Sequence, residues 1–588
     1  MSELFRRFGR LGDGLVLATA LLWALLLIVL PQLWMVDLSF RPNLPVAARG
    51  GPEDSWTLAN YAALWANPLH RTIFRQTIWS SLLVTLLALP VCYPVAFHPA
   101  QEARGTQALL LAIALVIPFR VNEILRTYSW FLILARNGLV NRLLLGLGLI
   151  EEPLALGGVG AVVIGMVSAY VLFMIFPLYN ALESLDRNQI EAARDLGAST
   201  WRIHRRVVIP HAKPGIAVGC VMTFMLAAGT FAVPQIMQSL PGGTNARWFT
   251  QIILFLLLRR RRLEPRLGLR LRPPPALHFL HHGDDAAVPR RAPGHRQVNS
   301  RGLLRVFTAL YLALFFAYLF LPLVFMVAAA FDASRFPTML PWEGFTLQWF
   351  WGFDARGRPT GLFRDARMAA ALWNSIVIGA GVILLSVPLG LAGALLLSSL
   401  QSRLKGLLYA VLVSPILTPG VILGISTLIF WQRAFEVGGG LFLAVVGQST
   451  FIASCCMLLF TARLERFDRT LEEAALDRGA SHLQMVRRIL VPFLRPAILS
   501  AALIAFLQSF ENYNTTLFVI GAEDTLTINI ATRVRLGLTP AVNAVGVLFI
   551  AATVLAAIGW AVLRRREVAV RFERPARTPA LRSAPAAG

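Results

Sequence analysis

Eleven apolar segments, each close to the length of a membrane-spanning helix, constrain this chain more than any other feature. A helix needs about 20 apolar residues to cross the hydrocarbon core of a bilayer. The 588 residues are 56% hydrophobic and 15% charged, which is too little charge for the surface of a soluble protein of this size. The sequence therefore predicts an all-α polytopic membrane protein. The spans are expected near residues 15–34, 77–97, 107–133, 158–182, 214–238, 304–330, 371–398, 405–431, 440–461, 494–520 and 541–563.

The net charge of +24 comes from arginines that stand in short clusters between the apolar segments. This is the positive-inside distribution of a membrane protein, not the basic face of a nucleic-acid-binding protein, so we expect no nucleic-acid partner. Arg6, Arg7 and Arg10 precede the first span and predict a cytoplasmic N-terminus. We expect the lipid bilayer to be a partner along every span.

One polar segment occurs twice between spans. The first repeat segment, Glu191–Pro210, is EAARDLGASTWRIHRRVVIP, and the second repeat segment, Glu473–Pro492, is EAALDRGASHLQMVRRILVP. The two copies are offset by 282 residues without a gap. Gln76–Pro90 likewise resembles Asn374–Pro388, with an offset of 298, so the first half carries about sixteen extra residues near Asn137–Gly157. The pattern predicts two tandem copies of one membrane unit.

The repeat segments have the composition of a helix, a turn and a second helix. An acid and two alanines favour a helix start, and Gly197 and Gly479 each permit a sharp turn. Pro210 and Pro492 are expected to end the second helix where the next span begins. We interpret each segment as a docking surface for a soluble partner, the alternative being an amphipathic helix that packs on its own bundle. The predicted docking residues are Glu191, Ala192, Ala193, Gly197, Pro210, Glu473, Ala474, Ala475, Gly479 and Pro492.

The stretch 259–297 breaks the repeat. By symmetry with 541–563 it should hold the sixth span of the first half, yet it is rich in arginine, and each mid-membrane arginine costs about 2.5–3.5 kcal/mol. With eleven spans, the two repeat segments would lie on opposite sides of the membrane. Because both are rich in arginine and alike in layout, we expect both on the cytoplasmic side, which requires a twelfth span. One hypothesis, which we favour, is an out-of-frame stretch of a GC-rich gene; the other is a genuine linker with a non-helical crossing. The predicted domains are 1–258 and 301–566 as the first and second membrane units, 259–300 as the anomalous junction and 567–588 as a disordered cytoplasmic tail.

Chemistry-bearing motifs are scarce. The only lysines, Lys213 and Lys405, do not belong to a P-loop, so ATP hydrolysis by that mechanism is excluded and no enzyme activity is predicted. The junction carries histidines and aspartates with metal-ligand character. We interpret them as accidental composition or a solvated linker, and predict no metal site. They are His278, His281, His282, Asp284, Asp285 and His295.

The pattern E-A-A, then Gly six residues later, then a hydrophobic residue and Pro, resembles the signature of the inner-membrane permeases of ABC importers. Ile117–Asn141 is similar to the first permease of the spermidine/putrescine family, and Ser414–Ser426 and Leu538–Gly546 to its companion permease. The resemblance implies two fused six-helix units whose repeat segments dock on a separate ATPase dimer. It also implies a location in the inner membrane of a bacterium and a periplasmic solute-binding protein as a partner. ATP and magnesium would be bound by the ATPase, with no cofactor bound by this chain.

The resemblance also implies a substrate path between the halves. Family members often carry acids near the outer end of the fifth span; here Glu511 is kept, whereas Asn512 and Thr230 replace other acids. An ionisable residue within the membrane is a functional candidate, although Glu123 and Arg126 are also spaced to pair with each other. The candidate path residues are Glu123, Tyr128, Trp130, Glu511, Tyr513 and Asn514.

The predicted function is an ABC importer permease for a polyamine or a related small polar solute. Ferric iron and thiamine are alternative substrates. An ion-coupled secondary transporter is the alternative from another class, because internal repeats also occur there. A non-functional product of a damaged gene is a third hypothesis, motivated by the junction.

Overall fold

The computed structural model describes residues 14–42, 51–103, 122–240, 247–253, 300–334, 342–353, 361–400, 404–468, 470–536 and 540–548, with isolated positions elsewhere. The junction hypotheses, the histidine cluster and the predicted tail concern residues outside this set. Within the described part the ordered elements are helices and isolated β-bridges, one of which joins Asp332 and Phe345.

The two halves contain the same order of long helices. The first half has α1 (Gly14–Ser39), α2 (Ala59–Ala66), α3 (Pro68–Glu102), α4 (Glu123–Leu134), α5 (Leu139–Gly146), α6 (Val159–Glu183), α7 (Arg187–Asp195), α8 (Thr200–Gly229) and α9 (Ala232–Met237). The second half has α10 (Ser300–Ala330), α11 (Gln348–Trp351), α12 (Ala366–Ser399), α13 (Leu404–Leu417), α14 (Gly420–Ala434), α15 (Leu441–Leu464), α16 (Thr470–Asp477), α17 (His482–Glu511), α18 (Thr516–Val519) and α19 (Leu526–Leu536). A 3-10 turn, Leu362–Arg364, precedes α12, and residues 541–548 are also helical.

Eight of these helices, within the described residues, are long and apolar enough to cross a bilayer: α1, α3, α6, α8, α10, α12, α15 and α17. Each corresponds to a span expected from the sequence, which confirms the all-α polytopic fold. The spans expected at 107–133 and 541–563 are described only in part. Helix α5 lies in the stretch where the first half was expected to carry extra residues.

The span expected at 405–431 is two helices rather than one. Helices α13 and α14 form a bent pair with an angle of 107° between them. The break falls at Thr418 and Pro419, and Pro419 has an extended backbone as the residue that precedes α14. A proline disfavours helical geometry in the residue before it and cannot donate a backbone hydrogen bond, which accounts for the break.

The predicted C-terminal end of the fifth span is wrong in both halves. The sequence predicted spans at 214–238 and 494–520, but α8 ends at Gly229 and α17 at Glu511. The next residue in each case is extended. In the second half Asn512 then accepts hydrogen bonds from the backbone N–H groups of Thr515 and Thr516, at 3.1 and 3.3 Å, which starts a new short helix.

Each half is built around three packed helices. In the first half α8 packs against α6 and α3, and in the second half α17 packs against α15 and α12. Small residues allow the close approach: a Cβ added at Gly215 of α8 would lie 2.5 Å from the Pro177 carbonyl oxygen of α6. Such small-residue contacts are the usual means of packing helices in a bilayer, where water does not drive the helices together.

The first span of each half packs against the other half. Helix α1 contacts α13, α14 and α15, and the Gln32 side-chain amide donates a hydrogen bond of 3.0 Å to the Ser426 hydroxyl. In return α10 contacts α4 and α3, and the Tyr318 hydroxyl donates to the Ile164 carbonyl at 2.7 Å. Each half therefore completes its helix bundle with a helix from the other.

Candidate functional site

The first repeat segment folds as a helix, a tight turn and the start of a long helix. Asp186 caps α7 by accepting a hydrogen bond of 2.9 Å from the Asn188 backbone N–H. Glu191 lies on the exposed surface of α7, and Arg187 donates to it at 3.2 Å one helical turn away. Gly197 has φ = +76°, a conformation that glycine adopts at little cost, and Ser199 then caps α8.

The second repeat segment has the same geometry. Glu473 is exposed on α16, Gly479 has φ = +80°, and Ser481 and Gln484 form a reciprocal capping box at the start of α17. Asp468 stands 282 residues after Asp186 and precedes α16 in the same way. Hydrogen bonds from the Thr470 hydroxyl and backbone N–H, at 2.8 and 3.0 Å, hold the pKa of Asp468 below its usual value. The sequence analysis did not identify Asp186 or Asp468 as capping residues. The repeat offset of 282 residues would have shown that they occupy equivalent positions.

Large apolar side chains protrude from the repeat segments. Leu196 at the tip of the first segment is 89% exposed. Trp201 and Leu483 occupy equivalent positions and are 72% and 76% exposed. Because arginines flank these side chains, the segments lie outside the apolar core of the membrane, and their exposed apolar tips are suited to a soluble partner.

The prediction that Pro210 and Pro492 end a separate helix is wrong. Each proline lies inside one continuous 30-residue helix, α8 or α17. A π-helical stretch just before each proline, at His204–Val208 and Val486–Leu490, accommodates it. Proline takes the first turn of the α-helical section that follows, where its missing N–H matters least. The second part of each repeat segment and the span that follows it therefore form one continuous helix.

The two halves meet at the C-terminal ends of α8 and α17, which are remote from the repeat segments. From Pro210 to Gly229 the helix rises about 29 Å at 1.5 Å per residue, close to the thickness of the hydrocarbon core. Beyond it Phe231 stacks on Tyr513, with ring centroids 6.3 Å apart and ring planes at 27°. These two residues are 282 positions apart, so equivalent positions face each other at the axis that relates the halves. Phe231 was missed from the sequence, although applying the repeat offset to Tyr513 would have found it.

Reciprocal contacts surround this aromatic pair. Asn122, which caps α4, donates a hydrogen bond of 3.5 Å to the Glu511 carbonyl at the end of α17. On the opposite side Pro419, which precedes α14, lies against Gly229 at the end of α8. Gly229 and Glu511 are again 282 residues apart. We name this contact the half interface; it comprises Asn122, Gly229, Phe231 and Gln235 from the first half and Pro419, Glu511, Tyr513 and Asn514 from the second.

Two further hydrogen bonds cross the half interface. The Tyr513 hydroxyl donates to the Gln235 side-chain oxygen at 3.0 Å. The Phe231 backbone N–H donates to the Asn514 side-chain oxygen at 3.4 Å. Tyr513 and Phe231 are buried. The half interface is therefore closed in this structure.

A charged trio lies beside the half interface. Glu123 accepts a hydrogen bond of 2.6 Å from the Tyr170 hydroxyl of α6. Arg126, one turn further along α4, donates to the Ala169 carbonyl of α6 at 3.2 Å. This hydrogen bond ties α4 to α6 within the first half. The trio is Glu123, Arg126 and Glu511.

Four of the six path residues predicted from the sequence come together in this region: Glu123, Glu511, Tyr513 and Asn514. The other two point elsewhere. Trp130 packs against Tyr318 of α10, with ring centroids 4.9 Å apart. Tyr128 is fully buried and stacks on Phe131 of its own helix. Both are packing residues of the first half in this conformation.

Two tandem all-α units with repeated interhelical segments define a polytopic transport permease. A family model described as the inner membrane component of binding-protein-dependent transport systems matches residues 59–259 and again 386–568. These matches cover more than half of the chain, so the chain belongs to this family. The first match ends where the anomalous junction begins.

Individual relatives each match less than half of the chain. The spermidine/putrescine transport system permease protein PotB of Salmonella typhimurium (strain SL1344) is 35% identical over 226 residues, which are 38% of this chain and 77% of the relative. PotB of Escherichia coli (strain K12) is 34% identical over 223 residues, 38% of this chain and 79% of the relative. The putrescine transport system permease protein PotI of the same strain is 30% identical over 265 residues, 44% of this chain and 90% of the relative.

Proposed function

We propose that this chain is the permease of an ATP-driven importer of polyamines, and that its two repeat segments dock on a separate ATPase dimer. The observation that carries the proposal is the continuity of α8 and α17. Each helix runs from an exposed repeat segment to the half interface over 30 residues, or about 45 Å. A displacement of the repeat segments by the ATPase is therefore transmitted directly to the contact that closes the path.

The repeat segments supply the docking chemistry. Glu191 and Glu473 are exposed acids suited to a basic partner, and Trp201 and Leu483 are exposed apolar side chains suited to a groove. Both segments must face the same ATPase dimer, which supports a cytoplasmic position for both and a cytoplasmic N-terminus. The chain lacks a P-loop, so ATP and magnesium belong to the partner and this chain binds no cofactor.

A periplasmic solute-binding protein is the second proposed partner. The family to which the chain belongs is named for its dependence on such a protein. The half interface lies at the ends of α8 and α17 remote from the repeat segments, so the proposed cytoplasmic position of these segments implies that the half interface faces the outer side of the membrane. A loaded binding protein would deliver its solute at this end once the half interface opens.

The proposed cargo is a polyamine. The relatives named above are spermidine/putrescine and putrescine permeases. An ammonium group that leaves water needs a carboxylate or an aromatic face. Glu123 and Glu511 offer carboxylates beside the half interface, and Phe231 and Tyr513 offer aromatic faces within it.

The experiment is uptake by proteoliposomes that contain this chain, its ATPase and its binding protein. Radiolabelled putrescine, spermidine, thiamine and ferric iron are compared with and without ATP. ATP-dependent uptake of putrescine or spermidine supports the proposal. Uptake of thiamine or ferric iron alone would overturn the substrate assignment, and uptake that needs no ATP but follows an ion gradient would overturn the importer assignment.

The docking role is tested with Gly479→Asp and Glu473→Arg. Each is expected to abolish ATP-dependent uptake while the chain remains in the membrane, because the first distorts the turn and the second reverses the docking charge. Glu465→Arg is the control, since Glu465 is an exposed acid at the end of α15 outside the repeat segment. Retained uptake in both variants, with the ATPase still bound, would refute the docking role.

A further inference from the structure

Gln448 joins the two sides of the break that ends α17. It lies on α15, about two turns from the start of that helix, and is 1% exposed. Its side-chain oxygen accepts a hydrogen bond of 2.5 Å from the Ser509 hydroxyl in the last turn of α17. Its side-chain NH2 group donates a hydrogen bond of 2.7 Å to the Thr516 hydroxyl at the start of α18. One buried amide therefore ties the end of one helix to the start of the next.

The segment between these two hydrogen bonds carries contacts of the half interface. Tyr513 stacks on Phe231, and Asn514 accepts a hydrogen bond of 3.4 Å from the backbone N–H of Phe231. Asn512 has an extended backbone and interrupts the helix just before them. Because no continuous helix runs through this segment, the position of Tyr513 depends on contacts that span the break. Gln448 supplies two of these contacts.

The two halves hold their equivalent breaks differently. In both halves a threonine hydroxyl donates to the carbonyl of the break residue: Thr250 to Thr230 at 2.7 Å, and Thr527 to Asn512 at 3.3 Å. The residues 282 positions before Gln448 and its two partners have no hydrogen-bonding side chain. They are Met166, Ala227 and Pro234. An equivalent amide bridge is therefore impossible in the first half.

Packing alone does not explain a glutamine at this position. An apolar side chain fills the equivalent place in the first half, as Met166 shows, and a buried amide is costly unless both of its ends are bonded. A hydrogen bond fixes the distance and the direction between two groups, whereas apolar contacts allow them to slide. Gln448 thus gives the break a defined geometry in addition to cohesion.

We propose that Gln448 is a positioning residue for the closed half interface: it holds Tyr513 and Asn514 of the second half in the place where Phe231 of the first half meets them. The inference rests on the proposed ATP-driven import but not on the identity of the cargo. ATP hydrolysis and transport stay coupled only if the half interface closes fully after each molecule of cargo has passed. Loss of the amide bridge should therefore allow hydrolysis of ATP without matching transport.

The test uses two variants that both lack the bridge but differ in stability. Gln448→Met leaves the Ser509 hydroxyl without its partner, whereas Gln448→Met combined with Ser509→Ala removes that hydroxyl as well. Thr516 stays satisfied in both variants, because its hydroxyl donates to the Asn512 carbonyl at 2.8 Å. Leaving one buried partner unbonded destabilises more than replacing both by apolar groups. We expect Gln448→Met to lower the melting temperature of the complex and the double variant to regain much of the loss.

The measured quantity is the number of putrescine molecules imported per ATP hydrolysed, in proteoliposomes that contain this chain, its ATPase and its binding protein. A smaller amount of folded protein lowers both rates equally, so the ratio does not depend on folding. We expect the ratio to fall about fivefold in both variants, the factor that corresponds to the net loss of one hydrogen bond. The basal ATPase rate without the binding protein should rise in both variants.

Ser454→Ala is the matched control. Ser454 is also buried on α15, and its hydroxyl donates to the Leu412 carbonyl of α13 at 2.5 Å, away from the break. This variant should lose stability through one interhelical hydrogen bond while the ratio and the basal ATPase rate stay unchanged.

The outcomes separate this inference from the proposed function. Import of another solute in place of putrescine contradicts the polyamine assignment, and the ratio is then measured with that solute. If the complex imports nothing under ATP, the proposed function fails, and the basal ATPase rates still test the role of Gln448. A ratio and a basal rate that return to those of the unaltered complex in the double variant, together with its melting temperature, would show a role in stability alone and overturn the inference. An equal fall of the ratio in Ser454→Ala would overturn it as well.

Discussion

Adding a methyl group at Gly229 should force the half interface open. Gly229 ends α8 and faces Pro419, and a Cβ at this position would lie 2.1 Å from the Pro419 Cβ and 2.5 Å from its Cγ. Carbon atoms pack at about 3.5–4.0 Å, so the two halves would have to part by about 1.5 Å at this point. The Pro419 ring is tied to the backbone and cannot rotate away.

The expected size of the effect follows from the cost of overpacking. Inserting a methyl group into a well-packed contact costs about 1–3 kcal/mol. Since 1.4 kcal/mol corresponds to a factor of ten, Gly229→Ala should reduce the closed population relative to the open one by about fivefold to 150-fold. We expect the closed half interface to be the resting state of the proposed importer. Its loss should therefore raise ATP hydrolysis in the absence of the binding protein.

The assay is the basal ATPase rate of the complex in lipid nanodiscs, with monodispersity checked by size-exclusion chromatography. Gly160→Ala in α6 is the control, because a Cβ there would contact nothing within 4 Å. Gly229→Ala combined with Pro419→Gly removes the collision and should return the rate towards that of the unaltered complex. A well-folded Gly229→Ala complex with an unchanged basal rate and unchanged uptake would refute the closed-interface argument.

Three further predictions address other parts of the chain. Cysteines introduced in place of Gln32 and Ser426 should be joined by a short bismaleimide cross-linker, because the two side chains are in contact. The cross-link should hold the halves together after a protease site engineered into 259–300 is cut; separation of the halves on a denaturing gel would contradict the exchange of first spans. Gly197→Ala should weaken association with the ATPase about fivefold, because a positive φ costs a non-glycine residue about 1 kcal/mol, and equal binding by the variant would contradict the role of the turn. Independent DNA sequencing across codons 259–297 should show a frame disruption, and one intact frame in every read would remove that hypothesis.

Much of the architecture follows from local patterns in the sequence. Apolar segments of sufficient length predicted the spans, because a bilayer accepts little else. The repeat of Glu191–Pro210 at Glu473–Pro492 predicted two tandem units, and the structure shows the same helix, turn and helix in each. A sharp turn was predicted at Gly197 and Gly479 because glycine adopts backbone conformations that other residues rarely adopt. Both glycines do have a positive φ.

The remaining features depend on contacts between distant residues. Hydropathy does not distinguish one span from a bent pair, so the break before α14 was missed despite the signal of Pro419. The early ends of α8 and α17 result from local capping by residues such as Asn512, within stretches that remain apolar on average. Trp130 was placed on the path because it is aromatic and near Glu123, but its ring packs on Tyr318. Which helix packs on which is tertiary information that a periodic pattern does not contain.

The exchange of first spans also sets the order in which the chain can finish folding. Gln32 of helix α1 is synthesised before its partner Ser426, which lies 394 residues further along the chain. At about 5–20 residues per second, roughly 20–80 seconds pass before that partner has been made. The contact between α1 and α14 therefore forms late in synthesis, and a single chain ensures that every copy of the first unit is followed by the second.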